Sequence, residues 1–498
     1  MVKIRVVFKH RSMELTVSQE ETILTAFQKN QIWIQAPCNG RGTCGKCKVH
    51  VDGETIEKLA CQTYPEEGMV IRLQEEGASI RVLSDFVCES QQMIQDESQH
   101  VGEYYVAIDL GTTTIVTQLL KRVSEGLRCL QTIRGINPQT SFGADVISRI
   151  TAANGGQAKE LQACVKDYLE ETIELLCIAN DLQHKTLSKI VIAGNTTMIH
   201  LLYGYDVSGL GLYPFQTTCL APEIKVKDQV SIVAVPGISA FVGGDITAGI
   251  YAIGMEQEEK PVLLVDLGTN GEIAIGNSNR ILVTSASAGP AFEGGNLSCG
   301  VGSIPGAICE VSIKRRYTAY KTIDNRPAIG LCGTGAIELL AELLEKGEID
   351  SHGTFVNEEY RIKGFPVDVM GNIRILQEDI RQLQLAKAAI RTGIEAVIDA
   401  FGTNYDEIAH LYLAGGMGYT LNVEKACRIG LIPRKLQDKV QCVGNSSLGG
   451  VKRYLTNLSE EASPFTNVTS KAQTIQLATK SQFSHNYLNY MDFTEAVS

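Results

Sequence analysis

The sequence lacks the long apolar runs of a membrane protein and the basic surplus of a nucleic-acid-binding protein. No stretch of about 18 consecutive apolar residues occurs, so no ordinary membrane-spanning helix is predicted. The first residues, Met-Val-Lys-Ile-Arg-Val-Val-Phe, alternate as in a strand and do not form a secretory signal. Lysine and arginine number 45 against 56 aspartates and glutamates, a net charge of −11. We therefore expect a cytoplasmic protein that has neither nucleic acid nor a membrane as its main partner.

Fourteen cysteines are present, and in a long chain of this kind they suggest bound metal rather than disulfides. Only one dense group occurs, formed by Cys38, Cys44, Cys47 and, further on, Cys61. Four thiolates satisfy the two irons of a [2Fe–2S] cluster. Cys88 is the alternative fourth ligand. Cys61 is favoured because it precedes a predicted strand, which brings Cys61 back beside the cysteine loop. Zinc and four unliganded cysteines are further alternatives, and zinc is disfavoured because only one Cys-x2-Cys arm is present.

The cysteine loop contains three glycines, Gly40, Gly42 and Gly45, which permit positive φ and bring backbone amides near the cluster sulfurs. Around this loop the pattern predicts the strands Lys3–Lys9, Glu14–Val17, Lys48–Val51 and Met69–Leu73 and the helix Thr22–Asn30. That order is typical of a small β-grasp domain, which we place at residues 1–80. The segment resembles plant- and adrenodoxin-type ferredoxins, and its first gap of five residues matches the adrenodoxin type.

Two later segments, Asp109–Thr113 and Asp266–Asn270, share one design, because each follows an apolar strand and contains a glycine followed by threonine. Amides and hydroxyls of such a turn can wrap phosphate oxygens, and the aspartate at the strand end can hold Mg²⁺. Each segment alone fits an ordinary strand-to-helix turn, but the pair suggests a duplicated fold with phosphate clamped between two halves. The candidate residues are Asp109, Gly111, Thr112, Thr113, Asp266, Gly268, Thr269 and Asn270.

A third segment, Leu411–Gly418, is a strand that runs into a glycine loop, where Gly415 and Gly416 leave the backbone open to the flat face of a nucleoside. Together the three segments resemble the ATPase superfamily of actin, sugar kinases and heat-shock chaperones. This resemblance implies ATP binding. It also implies that Asp245 orients or deprotonates the attacking water, with a helix N-cap as the alternative role.

The chain therefore divides into a ferredoxin domain (1–80), a linker (81–102), an ATPase body (103–455) and a polar tail (456–498). The body has two halves, at about 103–250 and 260–455. The tail is rich in Ser, Thr, Asn and Gln, so we expect it to be poorly ordered or peripheral, although its aromatic end can dock. The predicted fold class is α+β and multidomain, with an N-terminal β-grasp ferredoxin-like domain before a duplicated α/β actin-like ATPase fold.

A ferredoxin domain fused to this ATPase fold resembles the reductive activators of corrinoid proteins. Longer members of that family carry an additional middle domain, where this chain has only a short linker. Glu293 is a candidate for the nucleotide cleft, with an exposed loop carboxylate as the alternative. Arg149 is a candidate for contact with phosphate or partner, with a surface helix charge as the alternative. Further matching segments are Phe142–Arg149, Ala193–Met198, Gly289–Gly295, Gly330–Gly335 and Asp379–Lys387.

The resemblance implies an ATP-dependent enzyme of anaerobic methyl transfer. It would pass an electron from its [2Fe–2S] cluster to the inactive Co(II) corrinoid of a methyl-carrier protein and so regenerate Co(I). The implied cofactors are the cluster, ATP and Mg²⁺. The implied partners are the corrinoid protein and a low-potential electron donor, and a homodimer is left open. The alternatives are a redox-regulated small-molecule kinase and an ATP-dependent activator of another low-potential metalloenzyme.

Overall fold

A computed structural model describes most of the chain, which divides into two compact units. The described residues are 1–7, 12–30, 32, 34, 36, 40, 42, 47–54, 56–73, 102–315, 317–368, 370–416, 421–458, 464–477 and 483–493. The first unit comprises Met1–Ala78, Glu103–Leu120 and Cys129–Ala234. The second unit comprises Ser79–Gly102, Lys121–Arg128 and Val235–Ser498. The predicted linker at 81–102 lies almost entirely outside the described residues.

The N-terminal domain is a five-stranded sheet with one helix, and its strand order is β2-β1-β5-β3-β4. Its elements are β1 (Val2–Val7), β2 (Ser12–Val17), α1 (Ile23–Lys29), β3 (Lys48–Val51), β4 (Lys58–Leu59) and β5 (Val70–Arg72). Along β1, Ile4 and Val6 point inward with the period of a half-buried strand and share a core with Phe27 of α1. The helix starts after Thr22, whose hydroxyl accepts a bond from the Thr25 amide. The β-grasp prediction is confirmed.

The rest of the first unit is built on a six-stranded sheet in the order β10-β11-β9-β6-β7-β8, whose β7–β8 hairpin extends into residues assigned to the second unit. Its strands are β6 (Tyr104–Leu110), β7 (Thr114–Val123), β8 (Gly126–Ile136), β9 (Leu187–Gly194), β10 (Lys225–Lys227) and β11 (Val230–Ala234). Its helices are α2 (Val146–Ala152), α3 (Ala158–Ala179) and α4 (Thr196–Tyr203).

The second unit contains another six-stranded sheet, in the order β21-β20-β12-β13-β14-β22, and smaller sheets of three and two strands. Its strands are β12 (Val262–Leu267), β13 (Gly271–Gly276), β14 (Ile281–Ala286), β15 (Ala307–Ile313), β16 (Thr318–Thr322), β17 (Gly330–Leu331), β18 (Phe365–Pro366), β19 (Arg374–Ile375), β20 (Leu411–Ala414), β21 (Val440–Gly444) and β22 (Ala472–Thr474). Its helices are α5 (Gly244–Ile253), α6 (Gly333–Glu345), α7 (Glu358–Lys363), α8 (Gln377–Phe401), α9 (Val423–Arg428), α10 (Ser446–Thr456), α11 (Pro464–Lys471) and α12 (Phe483–Asn489). No helix in the described ranges is long and apolar enough to cross a bilayer.

The two large sheets share one topology over five strands. In the second unit β21, β20 and β12 run parallel, and β12, β13 and β14 are antiparallel neighbours. In the first unit β11, β9 and β6 run parallel, and β7 adjoins β6. Only Gly111–Thr113 separate β6 from β7, which is too short for a parallel crossover, so this pair is also antiparallel. The predicted duplication is confirmed, and each phosphate loop is a hairpin turn rather than a strand-to-helix turn.

The C-terminal residues that the structure describes differ from the poorly ordered or peripheral tail that their polar composition suggests. Strand β22 adds to the sheet in parallel beside β14. Phe465 and Phe493 are buried, each 1% exposed. The Lys387 ammonium donates to the carbonyls of Tyr490 (2.6 Å) and Asp492 (2.8 Å). A few aromatic anchors and one buried cation thus attach a polar segment to the body.

A buried ion-pair cluster fixes α9 against α6. The Lys425 ammonium lies 2.7 Å from the Glu338 carboxylate and 3.0 Å from that of Glu342, and it donates to the Val311 carbonyl at 2.8 Å. Burial raises the pKa of Glu342, but the bonds from the Ile313 amide and from Lys425 lower it by more, so the net pKa shift is downward. The folded protein therefore favours the charged carboxylate.

We expect Lys425→Met to lower the free energy of unfolding of this unit by about 3 kcal/mol near neutral pH, because two buried carboxylates lose their counter-ion. A carboxyl with a depressed folded pKa stabilises the fold above its ordinary pKa of 4.5 and loses that contribution as the pH falls through the folded value. In the variant the Glu342 carboxyl loses the Lys425 bond that helps to lower its pKa and protonates more readily, so the difference from wild type should shrink in mild acid. Urea unfolding at neutral and mildly acidic pH measures both effects.

Lys363→Met is the matched control for this prediction. Lys363 pairs with Glu359 on the surface, where the side chains are 65% and 64% exposed, so we expect a change below about 1 kcal/mol. Equal urea midpoints for the Lys425 and Lys363 variants would contradict the prediction.

Candidate cluster and nucleotide sites

Two of the four predicted cluster ligands, Cys47 and Cys61, lie in described residues, and the backbone holds their segments together. The Ala60 amide donates to the Cys47 carbonyl at 2.7 Å. Both cysteine side chains are withdrawn from water, with exposures of 1% and 7%. The other two predicted ligands, Cys38 and Cys44, lie outside the described residues, as does Cys88. Within the described part of the chain, no three His, Cys, Asp or Glu side chains are grouped to hold a metal ion.

Gly40 and Gly42 of the cysteine loop lie close to the short 3-10 turn Ala60–Gln62 that carries Cys61. A Cβ added to Gly40 would lie 3.9 Å from the Cβ of Cys61, and one added to Gly42 would lie 2.3 Å from the amide nitrogen of the Gln62 side chain. These glycines have φ of +81° and +74°, as the sequence predicts for this loop. Cys61 is thus held beside Gly40, in agreement with its predicted role as the fourth thiolate.

The first phosphate loop is fixed by two asparagines from neighbouring elements. The Asn137 side chain donates to the Gly111 carbonyl and that of Asn195 to the Thr112 hydroxyl, both at 2.9 Å. Asn195 follows β9, which pairs in parallel with β6. In this pairing Gly194 lies opposite the residue after Asp109, so Asp109 and Asn195 lie near the same edge of the sheet. The segment around Asn195 is recognisable in the sequence, whereas Asn137 has no motif of its own and could not be predicted.

Arg149 lies beneath this loop and is fully buried. Its guanidinium donates to the carbonyls of Thr112 (2.5 Å) and Gly143 (3.1 Å) and to the Gln139 side chain (3.4 Å). Loss of hydration lowers the pKa of Arg149 to about 9, although nearby Cys164 favours the charged form. The alternative of a surface helix charge is therefore wrong, and Arg149 holds the backbone of the loop.

The second phosphate loop is tied to Glu293. The Thr269 hydroxyl donates a short hydrogen bond to the Glu293 carboxylate, and the Gly268 amide donates to the Asn270 carbonyl at 3.2 Å. Solvent reaches the Glu293 carboxyl, yet the surrounding protein atoms raise its pKa by desolvation, against the lowering effect of the Thr269 bonds. Glu293 is exposed, as the alternative supposed, but it is also engaged with the loop.

Glu272 is a site residue that sequence analysis missed. It stands directly opposite Asp266 in the β12–β13 hairpin, so both carboxyls lie on one face of the sheet. Desolvation, followed by the charges of Asp245, Asp266 and Glu293, raises the pKa of Glu272 well above its usual value. The available signal was a lone carboxylate at the start of the otherwise apolar run Gly-Glu-Ile-Ala-Ile.

The N-termini of α5 and α10 meet near this carboxylate group. Asp245 lies in the first turn of α5, and its carboxylate accepts a 2.9 Å bond from the Ile246 amide. The N-cap of α5 is Gly243, so the alternative role of Asp245 as an N-cap is wrong. Ser446, the first residue of α10, lies with its hydroxyl 3.5 Å from the Asp266 carboxylate. Positive helix termini of this kind favour bound anions.

The predicted nucleoside loop adjoins the second phosphate loop. Gly415 has φ of +89°, and its amide donates to the Gly444 carbonyl at 3.1 Å. A Cβ at Gly415 would lie 2.6 Å from the Asp266 carboxylate, so only glycine fits at this position. A Cβ at Gly416 would meet no atom within 4 Å, which leaves that side of the loop open. Residues 417–420 lie outside the described residues.

A β-grasp domain with a cysteine loop, followed by two sheets of one topology that carry matching phosphate loops, defines an actin-like ATPase with a ferredoxin domain. Three family models match the chain in this order. They are the 2Fe-2S iron-sulfur cluster binding domain at residues 7–66, the RACo middle region at 104–258, and the C-terminal domain of RACo, the ASKHA domain, at 260–497. The match at 104–258 corrects the expectation that only a short linker stands in place of the family's middle domain. The chain belongs to the RACo family of ATP-hydrolysing iron–sulfur proteins.

Two named relatives agree with this assignment over nearly the whole chain, and a third agrees over about three quarters of it. The solved structure of a reductive activator for corrinoid, iron-sulfur protein is 27% identical, with a TM-score of 0.70 and 98% of each chain covered. The corrinoid activation enzyme RamQ of Eubacterium limosum is 28% identical, over 97% of this chain and 98% of that protein. A Co(II) methylated amine-specific corrinoid protein reductase of Methanosarcina barkeri is 25% identical, over 77% of this chain and 76% of its own length.

Proposed function

We propose that this protein is an ATP-dependent reductive activator that passes one electron from a [2Fe–2S] cluster to the Co(II) corrinoid of a methyl-carrier protein. The product is Co(I), and a low-potential donor returns the electron to the cluster. The observation that carries the proposal is the presence in one chain of a ferredoxin-type cysteine loop and a full set of ATPase loops. Relatives named for corrinoid activation and corrinoid protein reduction support the choice of acceptor.

The cluster ligands in this proposal are Cys38, Cys44, Cys47 and Cys61. The approach of Gly40 to Cys61 supports Cys61 as the fourth thiolate. The cluster supplies one-electron storage at low potential. The chain contributes burial of Cys47 and Cys61 and a glycine loop whose amides can donate to sulfur. These features favour a compact, water-poor cluster of the [2Fe–2S] type.

ATP and Mg²⁺ are assigned to the phosphate loops. The carboxyls of Asp266 and Glu272 lie opposite each other on neighbouring strands. A divalent cation bound there would offset their negative charge. Asp109 occupies the equivalent strand end in the first unit. Thr112, Thr113, Thr269 and Asn270 offer hydroxyl and amide groups to phosphate oxygens, and Asp245 is placed to orient or deprotonate the attacking water.

ATP can assist the electron transfer only through states that bind the corrinoid protein differently. Each deficit of about 59 mV costs about 1.4 kcal/mol for one electron, so a modest change in partner affinity offsets a substantial deficit. We therefore place the need for ATP in the interaction with the corrinoid protein, in the cytoplasm, rather than in loading the cluster.

The proposal predicts ATP-dependent formation of Co(I). The full-length protein, a low-potential reductant, MgATP and a Co(II) corrinoid protein are mixed without oxygen, and the visible spectrum is recorded. We expect Co(II) absorbance to be replaced by that of Co(I) only when ATP is present. Equal Co(I) formation without ATP, across several corrinoid proteins, would refute the proposal. Stoichiometric phosphorylation of a metabolite without any partner would instead identify a small-molecule kinase.

A further inference from the structure

One short turn joins the ferredoxin domain to the first phosphate loop within the first unit. The 3-10 turn Pro138–Ser141 ends at Ser141, whose side chain is 1% exposed. The Ser141 hydroxyl donates to the Ile34 carbonyl at 2.7 Å, and its own carbonyl accepts from the Gln28 side chain at 2.8 Å. Gln28 belongs to α1, and Ile34 stands four residues before Cys38. This end of the turn therefore contacts the segment that leads into the cysteine loop.

The other end of the same turn holds the phosphate loop. Asn137 caps the turn by accepting a 3.0 Å bond from the Gln139 amide. Its side chain donates to the Gly111 carbonyl at 2.9 Å, and its backbone amide donates to the Thr113 carbonyl at 2.8 Å. One side chain and one amide thus fix the backbone on both sides of Thr112.

Arg149 closes the connection between the turn and the loop. It bonds the Gln139 side chain and the Thr112 carbonyl, and no ion pair among the described residues includes it. A buried guanidinium that relies on carbonyl and amide acceptors is costly to displace, because each broken bond leaves charge in a low dielectric. The loop, the arginine and the turn are therefore expected to shift together rather than independently.

We propose that this connector, formed by Asn137–Ser141 and Arg149, couples nucleotide binding at the first phosphate loop to the redox state of the ferredoxin domain. The inference rests on the proposed placement of ATP and of the cluster. Phosphate attracts the loop amides, while the carbonyls of Gly111 and Thr112 are anchored to the connector, so a displacement of the loop is passed to Ser141 and Ile34. Bound nucleotide and the added electron are both negatively charged, so bound nucleotide disfavours reduction of the cluster and reduction weakens nucleotide binding.

The coupling has a reciprocal signature. If nucleotide lowers the reduction potential of the cluster, then reduction must weaken nucleotide binding by the same factor. We expect the oxidised protein to bind nucleotide about fivefold more tightly than the reduced protein, a factor at the low end of measured couplings. Because a tenfold ratio equals about 59 mV for one electron, the potential should fall by about 40 mV.

The experiment uses the full-length protein with its cluster and a non-hydrolysable ATP analogue with Mg²⁺. Spectroelectrochemical titration gives the potential with and without the analogue, and equilibrium titration gives the analogue affinity in both redox states. In the double variant Gln28→Leu, Ser141→Ala, we expect an unchanged cluster spectrum, an unchanged affinity in the oxidised state and loss of the potential shift. Ser141→Ala alone, which removes a single oxygen, should lose part of the shift and carries the test if the double variant loses its cluster.

Asn180→Leu is the matched control. Asn180, at the C-terminal end of α3 in the same unit, donates a similar bond, of 2.8 Å, to the Leu176 carbonyl, and its side-chain bonds do not include the connector. Its variant should keep the full shift. An identical potential with and without the analogue in the wild type, or a full shift in the double variant, would overturn the coupling. Because neither readout involves a corrinoid protein, a failure of Co(I) formation with the shift intact would count against the proposed function alone.

Discussion

Replacing Cys61 by Ser is expected to remove most of the cluster iron and the visible absorption of the proposed [2Fe–2S] centre while ATP hydrolysis persists. Serine is a poor ligand for iron in such clusters, which are held by thiolates. The Cys61 side chain is 7% exposed, so water has little access to take the place of the lost thiolate. Iron and sulfide contents per chain, the visible spectrum and the ATPase rate of the full-length variant measure the three expected results.

Two serine variants at other cysteines are the controls for this prediction. Cys129 is exposed and lies far along the chain in β8, so Cys129→Ser should keep the cluster. Cys88→Ser tests the alternative fourth ligand directly. If Cys61→Ser keeps the full spectrum and Cys88→Ser loses it, the assignment of Cys61 as the fourth ligand is wrong. The assignment of the other three ligands would not be affected.

The parts of the fold that sequence analysis predicted correctly are those governed by local signals. The alternation in β1 and the N-cap at Thr22 each act within a few residues, so the β-grasp elements could be located closely. The glycines at positions 40 and 42 are required by positive φ, and this requirement is also local. The duplication was detectable because both phosphate loops repeat the same sequence of strand end, aspartate and glycine.

The residues that sequence analysis missed owe their roles to register and burial. Glu272 matters because the hairpin sets it opposite Asp266, and a shift of one residue would turn it to the other face. Asn137 acts through a bond to Gly111, which is 26 positions away. The sequence makes Arg149 a candidate for contact with phosphate or partner, with a surface helix charge as the alternative, but only the packed structure shows that it is enclosed. None of these relations appears in a window of neighbouring residues.

Replacing Asp266 by Asn is expected to slow ATP hydrolysis by about a hundredfold or more while the cluster spectrum stays unchanged. The carboxylate lies beside Ser446, Gly415 and Glu272, where negative charge is concentrated, and asparagine keeps its shape while removing that charge. Loss of one preorganised electrostatic contact in an active site costs about 10²–10³ in rate. The steady-state ATPase rate under saturating Mg²⁺ and the visible spectrum are the measurements.

Asp438→Asn is the surface control for this variant, because Asp438 is exposed and lies in a short turn before β21. It should leave the ATPase rate within about twofold of wild type, as expected for a surface change away from the site. The Asp266 variant should also lower the pKa of Glu272, because the charge of Asp266 helps to raise it. An Asp266→Asn protein that hydrolyses ATP at the wild-type rate would show that the second phosphate loop is not the catalytic one, and it would transfer that role to Asp109 in the first unit.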